Sequence, residues 1–290
     1  MNHHGKARLL MTASMALSGT RGLFTRNIPV SSGELALYRA ILAAALIALY
    51  LLAARQPIRL AQIRGELPLL LLSGVAMGIN WILLFQAYRY TTISMATLSY
   101  YFAPVIVTAV SPVLFRERMT KKQLLCFLLS TAGLVLIIGA GETGGSGTDL
   151  TGILFGLGAA VFYAAVILLN KRIRQVAGIH RTFLQLVAAA VILLPYVALT
   201  GGSSLGSLSA LGFGCLLVVG LIHTGITYCM YFTALRDLSG QEAAILSYID
   251  PLVAALVSVA LLGEAMTLWQ AVGGAMILGF TLVNELGGEG

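Results

Sequence analysis

The stretch of sequence that decides the fold runs from Gly78 to Gln123 and reads GINWILLFQAYRYTTISMATLSYYFAPVIVTAVSPVLFRERMTKKQ. It recurs without a gap 147 positions later, from Gly225 to Gln270, and 15 of the positions are identical. The identical pairs include Gly78/Gly225, Phe85/Phe232, Arg89/Arg236, Tyr101/Tyr248, Pro104/Pro251, Glu117/Glu264, Met119/Met266, Thr120/Thr267 and Gln123/Gln270. The chain is therefore a duplication. If each copy crosses a membrane an odd number of times, the second copy lies upside down relative to the first.

Composition places the chain in a membrane. Of its 290 residues, 58% are hydrophobic and 10% are charged, whereas soluble domains carry about 25% charged residues. The apolar residues come in blocks close to the roughly 20 residues that a helix needs to cross a bilayer. The formal charge is +7, but the basic residues stand between the apolar blocks. That distribution is a topology signal and argues against a nucleic-acid partner.

The apolar blocks predict ten transmembrane helices, because continuous apolar runs exclude the alternating strands of a barrel. The predicted spans are 8–25, 34–54, 68–88, 93–114, 122–140, 150–170, 182–200, 211–234, 242–262 and 268–286. A polar, glycine-rich linker at 141–149 separates a first repeat, 1–140, from a second repeat, 150–290. Because five is odd, we predict an all-α membrane protein built from two inverted five-helix repeats.

The first 22 residues admit two interpretations. Lys6 and Arg8, followed by an apolar run and small residues, resemble a secretory signal. A shift of 145 positions, however, aligns this region with a later span and matches Arg26 with Lys171. Removing the first span would leave the first repeat one helix short, so a retained helix is the preferred interpretation.

Positive charge predicts the orientation, because cytoplasmic loops carry the excess of lysine and arginine. With the N-terminus in the cytoplasm, fourteen basic residues fall inside and two, Arg26 and Arg89, fall outside, while Arg21 and Arg39 are embedded in apolar spans. The inside set is Lys6, Arg8, Arg55, Arg59, Arg64, Arg116, Arg118, Lys121, Lys122, Lys171, Arg172, Arg174, Arg181 and Arg236. We therefore expect a multi-pass protein of the cytoplasmic membrane with both termini in the cytoplasm.

Two motifs carry a resemblance to a known family. Residues 33–40 read GELALYRA, which is similar to an "LxxxR" entry to the second helix. Pro251 followed by Gly263-Glu264-Ala265-Met266-Thr267 is similar to a "GExLT" helix end, and Pro104 with Glu117-Arg118-Met119-Thr120 repeats it with Arg116 in place of the glycine. On these motifs the whole chain resembles the ten-helix, EamA-type members of the drug/metabolite transporter superfamily. The resemblance implies a carrier fold, and a substrate among amino acids, other metabolites, drugs and nucleotide sugars.

Polar and aromatic residues near mid-depth in the predicted spans are the candidates for a binding site. A charge in a bilayer costs roughly 2.5–3.5 kcal/mol on insertion scales, so each needs a reason. The candidates come from both halves and are Asn80, Trp81, Tyr101, Tyr163, His223, Tyr248 and Asp250. A carrier's site is expected at the interface of its repeats. Structural alternatives remain open: the equivalent tyrosines can pack where the halves meet, Asn80 can pin two helices together, and Trp81 can belong to the core.

Arg21 and Arg39 add positive charge to the first two spans, and Glu34 and Tyr38 are close to Arg39 in sequence. One glutamate cannot neutralise both arginines, so the spare charge can attract an anionic group of a substrate. Arg21, Tyr38 and Arg39 therefore join the substrate-binding candidates. Arg39 matches the family's usual arginine and has the alternative role of a structural tie to backbone carbonyls.

Pro104 and Pro251 predict a kink at equivalent places in the fourth and ninth spans. Proline has no N–H, so the carbonyl four residues earlier, at Tyr100 and at Ser247, loses its helical partner. This pair of kinked helices, related by the duplication, is a candidate hinge.

Asp250 is the candidate for proton coupling, and its repeat partner is Ala103. A carboxyl group that is protonated in one state and ionised in another links transport to a proton gradient, and His223 can share the proton. On a regular helix Asp250 and Tyr248 point about 200° apart, so they face one cavity only if Pro251 distorts the turn. The structural alternative is a neutral carboxyl tied to a nearby hydroxyl.

Two further features concern packing. Glu117 and Glu264 end equivalent helices and predict a turn that caps the following helix, with a threonine three residues on. Small residues at four-residue spacing predict close helix contacts, within the chain by default and with a second copy as the alternative, so a monomer or a homodimer is expected. They are Gly152 and Gly156 in the sixth span and Ala271, Ala275 and Gly279 in the tenth.

The sequence favours a secondary carrier that exports small organic metabolites such as amino acids by alternating access. No G-x-x-x-x-G-K-[ST] signature occurs, so a gradient or an exchange would supply the energy. The alternatives are a multidrug or organic-cation efflux carrier, and an intramembrane enzyme, which the sequence disfavours because the serine–glycine pairs have no nearby base. Cys126, Cys215 and Cys229 are unevenly spaced within apolar spans. We expect no disulfide, metal or cofactor, and the expected partners are a small-molecule substrate and membrane lipid.

Overall fold

The computed structural model describes residues 3–56, 63–115, 120–144, 149–173, 175–176, 178–234, 237–238 and 246–285. No strand occurs among these residues, which confirms the all-α class. The α-helices are α1 His3–Gly19, α2 Arg21–Thr25, α3 Ser32–Ala53, α4 Leu67–Tyr90, α5 Ile93–Tyr100, α6 Ala103–Phe115, α7 Lys121–Gly144, α8 Asp149–Arg172, α9 Gly178–Thr200, α10 Ala210–Leu217, α11 Thr227–Ala234, α12 Ile249–Ala260 and α13 Leu268–Glu285. A nine-residue π-helix, Val218–Ile226, joins α10 to α11.

The described residues contain six helical segments that are long and apolar enough to cross a bilayer. They are Ser32–Ala53, Leu67–Tyr90, Ile93–Ser111, Asp149–Arg172, Gly178–Thr200 and Ala210–Ala234. Ile249–Ala260 and Leu268–Asn284 are shorter apolar helices. The chain is thus a multi-pass membrane protein. The predicted turn at 116–119, the linker residues 145–148, and Arg59, Arg174 and Arg236 lie outside the described residues.

The packing of the elements α1 to α7 against the elements α8 to α13 repeats itself. Helix α4 of the first set packs on α8 and α9. Its equivalent in the second set is the π-helix with α11, and these pack on the equivalents of α9 and α8: the π-helix on α3, and α11 on α1. Helix α6 packs on α8 as α12 packs on α1. The pairs α3/α9 and α7/α13 each join elements that hold the same place in the two sets. Exchanging the sets therefore reproduces the same pattern of neighbours.

The last helix of each set begins with the same capping box. The Thr120 N–H donates to Gln123 Oε1 at 2.8 Å, and the Gln123 N–H donates to Thr120 Oγ1 at 3.2 Å. Thr267 and Gln270 make the same two bonds at the same two distances. Each box satisfies two N–H groups that a helix start leaves unpaired. The cap of α13 is therefore Thr267, three residues after Glu264, as the predicted capping turn requires.

Glu264 instead caps a helix of the first set. Its Oε2 accepts the N–H of Ile93, the first residue of α5, at 2.9 Å. It also accepts the Ser258 hydroxyl and pairs with Arg26, and its side chain is only 7% exposed. A carboxylate suits a helix N-terminus because the unpaired N–H groups carry partial positive charge. Glu264 thus joins α12 to the beginning of α5 and the end of α2. Its counterpart, Glu117, lies outside the described residues.

The small residues predicted to form close helix contacts have different surroundings on α8 and on α13. Gly152 and Gly156 on α8 face Thr91 and Ser99, and a Cβ on Gly156 would lie 2.9 Å from the Cβ of Ser99. Close packing within the chain is therefore confirmed there. On α13 the predicted face is exposed, and α7 packs against Gly273 instead. Packing within the chain is thus the wrong expectation for Ala271, Ala275 and Gly279.

Replacing Glu264 by alanine should lower the melting temperature of the purified protein in detergent. The buried N–H of Ile93 would lose its acceptor, and such an unsatisfied group costs about 1–3 kcal/mol. Glu66→Ala is the matched control, because this carboxylate accepts one exposed N–H, that of Gln175, and its loss should have a smaller effect. Equal melting temperatures for the two variants would contradict the structural role of Glu264.

Candidate functional site

The centre of the bundle holds an ion pair between its two halves. Arg21 begins α2, directly after the break in α1 at Thr20, and Asp250 lies in the first turn of α12. Arg21 Nη2 and Asp250 Oδ2 are 3.7 Å apart, and the two side chains are 13% and 17% exposed. Gly19 permits this approach, because a Cβ there would lie 2.6 Å from the Asp250 carbonyl oxygen.

A small pocket surrounds the ion pair. Its volume is about 10 Å³, which is space for about one water molecule. The lining residues are Ser18, Gly19, Arg21, Gly22, Leu84, Tyr88, Thr97, Tyr100, Tyr101, Asp250 and Ala254. Three predicted candidates, Arg21, Tyr101 and Asp250, therefore meet at one place. A fourth, Tyr163, stacks on Tyr100 with ring centroids 5.0 Å apart and forms the next layer of the wall.

The helix interruptions at the two prolines place these groups. Helix α5 ends at Tyr100 and α6 begins at Ala103, so the chain turns at Tyr101 and Phe102, and Pro104 is the second residue of α6. In the second half Tyr248 precedes the first residue of α12, and Pro251 follows Asp250. Both predicted kinks are thus real interruptions of the helix. The turn brings Asp250 into the pocket, whereas Tyr248 is half-buried and is not part of the pocket lining.

Arg39 is held beside the pocket. It is 2% exposed, and its guanidinium carbon lies 4.1 Å from the centroid of the Trp81 ring. Its Nε donates to Thr224 Oγ1 at 2.6 Å, while its Nη1 is buried and has no partner among the described residues. Stacking on an aromatic face stabilises a buried cation. These contacts match the alternative interpretations, in which Arg39 has a structural role and Trp81 belongs to the core. Arg39 is held by a hydroxyl and an aromatic ring, however, and not by backbone carbonyls.

The π-helix brings His223 and Thr224 to two different helices. His223 Nε2 lies 2.8 Å from Thr20 Oγ1, at the break between α1 and α2, and the ring packs on Phe24 at 5.0 Å. His223 Nδ1 lies 3.2 Å from the Val218 carbonyl, which can only accept. Nδ1 therefore carries a proton, and Nε2 is the nitrogen that can gain or lose one. His223 and Asp250 contact neighbouring residues of the same break.

Two predicted site residues lie elsewhere. Asn80 is 2% exposed, and its amide donates to the Ala159 carbonyl at 2.6 Å, so it pins α4 to α8. The Tyr38 hydroxyl bonds Ser203 at 2.6 Å in an exposed position, away from the central pocket. Glu34 does not balance either arginine: its carboxylate completes the capping box of α3 with Ser31 and also accepts the Ser204 hydroxyl at 3.1 Å.

The structure adds residues that the sequence reasoning missed, above all Tyr88 and Tyr100. A signal for Tyr88 was available, since Trp81, Leu84 and Tyr88 have the spacing of one helix face. Tyr88 also lines a larger cavity of about 230 Å³ at one end of the bundle. That cavity is bordered by the α2–α3 connection and the last turns of α4, including Arg26, Pro29, Val30, Phe85 and Arg89. Tyr88 thus separates an open cavity from the central pocket.

Comparison with known proteins gives consistent results. The model of the EamA-like transporter family matches the chain twice, over residues 5–139 and 150–284. The chain is 30% identical over 288 residues to the uncharacterized transporter YxxF of Bacillus subtilis (strain 168), which covers 97% of this chain and 91% of that protein. It is 27% identical over 261 residues to the threonine/homoserine exporter RhtA of Escherichia coli (strain K12), with 89% and 84% covered. A crystal structure of a protein with 20% identity matches with a TM-score of 0.68 and covers 97% of each chain, which shows a shared fold.

Replacing Arg39 should destabilise the protein whether or not positive charge is retained. Arg39→Lys keeps the charge but loses the planar group that stacks on Trp81 and bonds Thr224, and Arg39→Met also loses the charge. We expect both variants to melt several degrees lower, because they lose the stacking on Trp81 and a hydrogen bond from a charged donor, which contributes about 1.5–3 kcal/mol. Arg89→Met is the control, because among the described residues Arg89 bonds the Val30 carbonyl at the edge of the bundle. A stable Arg39→Met protein would refute the structural role.

Proposed function

The chain belongs to the EamA-like transporter family, and we propose that it is a secondary carrier that exports small metabolites such as amino acids across the cytoplasmic membrane. Ten transmembrane helices in two inverted repeats, residues 1–140 and 150–290 joined by the linker 141–149, would alternately open the central pocket to each side. The family and the names of the relatives indicate a transporter and not an enzyme.

Three observations support the inverted arrangement. The sequence repeats over 46 residues, the family model matches two separate halves, and exchanging the halves preserves the pattern of packed neighbours. Two copies with an odd number of crossings must run in opposite directions, and such repeats are the architecture of many alternating-access carriers. The charge distribution supports cytoplasmic termini, which would place the cavity beside Tyr88 on the outside.

The observation that carries the proposal is the ion pair between Arg21 and Asp250. Charged side chains are costly at membrane depth and mark ligand or ion pathways when they occur. This pair lies in a pocket where the first set of helices meets the second, which is the expected position of a carrier's binding site. Tyrosines from α4 and α5 complete the wall. A relative named as a threonine/homoserine exporter supports amino acids as the substrate class.

The pocket and the cavity support a gating sequence. The pocket holds about 10 Å³ and the cavity about 230 Å³, and both are lined by Tyr88. Access from that end requires Tyr88 to move, whereas access from the other end requires the helices around the pocket to separate. The breaks at Pro104 and Pro251 would serve as hinges for these movements.

Proton coupling would use Asp250 together with His223. Asp250 can release or accept a proton as its distance from Arg21 changes, because that cation stabilises the ionised carboxylate. His223 would gain or lose its proton at Nε2, which lies next to the Thr20 hydroxyl. The competing proposal, efflux of organic cations, is favoured by the tyrosine-lined wall around one carboxylate. Arg21, however, adds a positive charge that would repel such substrates.

Counterflow in vesicles tests the carrier function and its coupling. We expect purified protein in vesicles loaded with an unlabelled amino acid to take up the labelled one, and to take up little labelled tetraphenylphosphonium. A lumen more acidic than the bath should increase uptake, since protons would leave as the solute enters. With Asp250→Asn, uptake at saturating solute should lose its dependence on the pH gradient, whereas Asp149→Asn should retain it. An unchanged gradient response in Asp250→Asn would exclude coupling through this carboxyl.

The hinges can be tested separately. The double variant Pro104→Ala and Pro251→Ala should slow counterflow by more than about tenfold, or about 1.4 kcal/mol in the limiting barrier, because continuous helices would stiffen both gates. Its melting temperature should stay at or above that of the parent. Pro195→Ala is the control, since this proline lies inside α9. A double variant with the full rate would show that the interruptions are not hinges.

A further inference from the structure

We propose that Arg21 and Asp250 form a receptor for a zwitterionic α-amino acid, with Arg21 binding the α-carboxylate and Asp250 binding the α-ammonium. The inference rests on the carrier function proposed above and names the chemical class of its substrate. The ligand would enter between the two charged groups and replace one loose ion pair with two closer ones.

The ion pair is loose and leaves hydrogen-bonding capacity unused. At 3.7 Å, the separation of Arg21 Nη2 and Asp250 Oδ2 is longer than a hydrogen bond. Arg21 Nε is buried and has no partner among the described residues. A guanidinium carries five N–H donors in a fork that fits a carboxylate edge. Asp250 therefore leaves the hydrogen-bonding capacity of Arg21 partly unused, and a ligand carboxylate can bond Arg21 more closely.

Charge balance selects the zwitterion. A cationic ligand would leave Arg21 without its counterion, and an anionic ligand would do the same to Asp250. Separated, unpaired charges are costly in a buried site. A ligand that carries both charges one carbon apart pairs with both groups and leaves the net charge of the pocket unchanged. Arg39 is not part of this pairing, since it does not line the pocket and lies over Trp81.

The duplication shows that the fold does not need these charges. Asp250 corresponds to Ala103 through the 147-residue shift, and Gly19 corresponds to Ala164 through the 145-residue shift. Ala103 at the start of α6 is fully buried and packs directly on Ala160 and Ala164 of α8. The same helix junction is thus built from alanines in one half and contains an ion pair in the other. A role beyond packing accounts for this difference.

The pocket wall suits the remaining parts of an amino acid. The rings of Tyr100 and Tyr101 lie beside Asp250, and aromatic faces stabilise an ammonium group. Ser18 and Thr97 border the space next to Arg21 and can bond a polar side chain. Because the closed pocket is only about 10 Å³, binding must separate Arg21 from Asp250. Ligand recognition and opening of the pocket are therefore the same event.

The first test compares charge analogues on the full-length protein in detergent. L-Threonine, L-homoserine and L-alanine are screened for an increase in melting temperature, and the most effective one is compared with its amide and its N-acetyl derivative. The amide keeps only the ammonium, and the N-acetyl derivative keeps only the carboxylate. We expect the zwitterion to bind roughly thirty-fold or more tightly than either derivative, the ratio typical of losing one partner of a buried charge pair.

The second test uses variants that should change the preference in opposite directions. Arg21→Gln should bind the zwitterion and the amide with similar affinity, and Asp250→Asn should bind the zwitterion and the N-acetyl derivative with similar affinity. A purely structural ion pair would not produce this crossed pattern. Asp149→Asn, whose carboxylate accepts the Thr91 hydroxyl at 2.8 Å, is the control. The double variant Arg21→Asp and Asp250→Arg keeps the pair, should remain folded, and should retain the preference for the zwitterion.

The outcomes separate this inference from the carrier function. Counterflow of a solute together with equal binding of the zwitterion and both derivatives would overturn the receptor and leave the carrier intact. Stabilisation by the zwitterion without counterflow would support the receptor and contradict the carrier. No stabilisation by any of the three amino acids, or variants with the preference of the parent, would also overturn the receptor.

Discussion

Two arginines and one aspartate must be accommodated in a bundle made almost entirely of apolar helices. Burial removes most of their contact with water, so each charge has to be stabilised by another part of the chain. Arg39 stacks on Trp81 and donates to Thr224, although its Nη1 has no partner among the described residues. Among the same residues, the charged partner of Arg21 is a more distant carboxylate, Asp250. The breaks in α1 and before α12 lie where these two groups meet, and the proposed binding site follows from that incomplete pairing.

The helical scaffold is duplicated, whereas the charged residues of the central pocket are not. Features that build the scaffold occur twice, as in the capping boxes at Thr120 and Thr267, which have the same bonds at the same distances. The charged features of the pocket occur once, since Asp250 stands where the other half has Ala103. In the proposed mechanism, two halves that exchange roles can share their hinges and their helix ends, whereas one ligand bound between them needs one set of charges.

Hydropathy predicted the positions of the six long apolar helices, because a span in lipid must be continuously apolar and long enough to cross. The interruptions were also predictable, since Pro104 and Pro251 cannot donate to the preceding turn. The partners of polar side chains were not. Local sequence contains no sign that Glu264 reaches the start of α5 or that Tyr38 reaches Ser203. The π-helix was missed because its apolar residues also suit an ordinary α-helix, and the wider turn is visible only in its hydrogen bonds.

The short helix α2 connects the pocket to the closure between the two halves. At one end Arg21 pairs with Asp250, in the first turn of α12, and just past the other end Arg26 pairs with Glu264, which follows α12. Five helical residues span about 7.5 Å, so both ion pairs act on one rigid element. A ligand that separates Arg21 from Asp250 must therefore move α2 relative to α12. The ion pair between Arg26 and Glu264 either moves with α2 or resists that movement. The interaction proposed to recognise the ligand is thus mechanically linked to a second ion pair between the two halves.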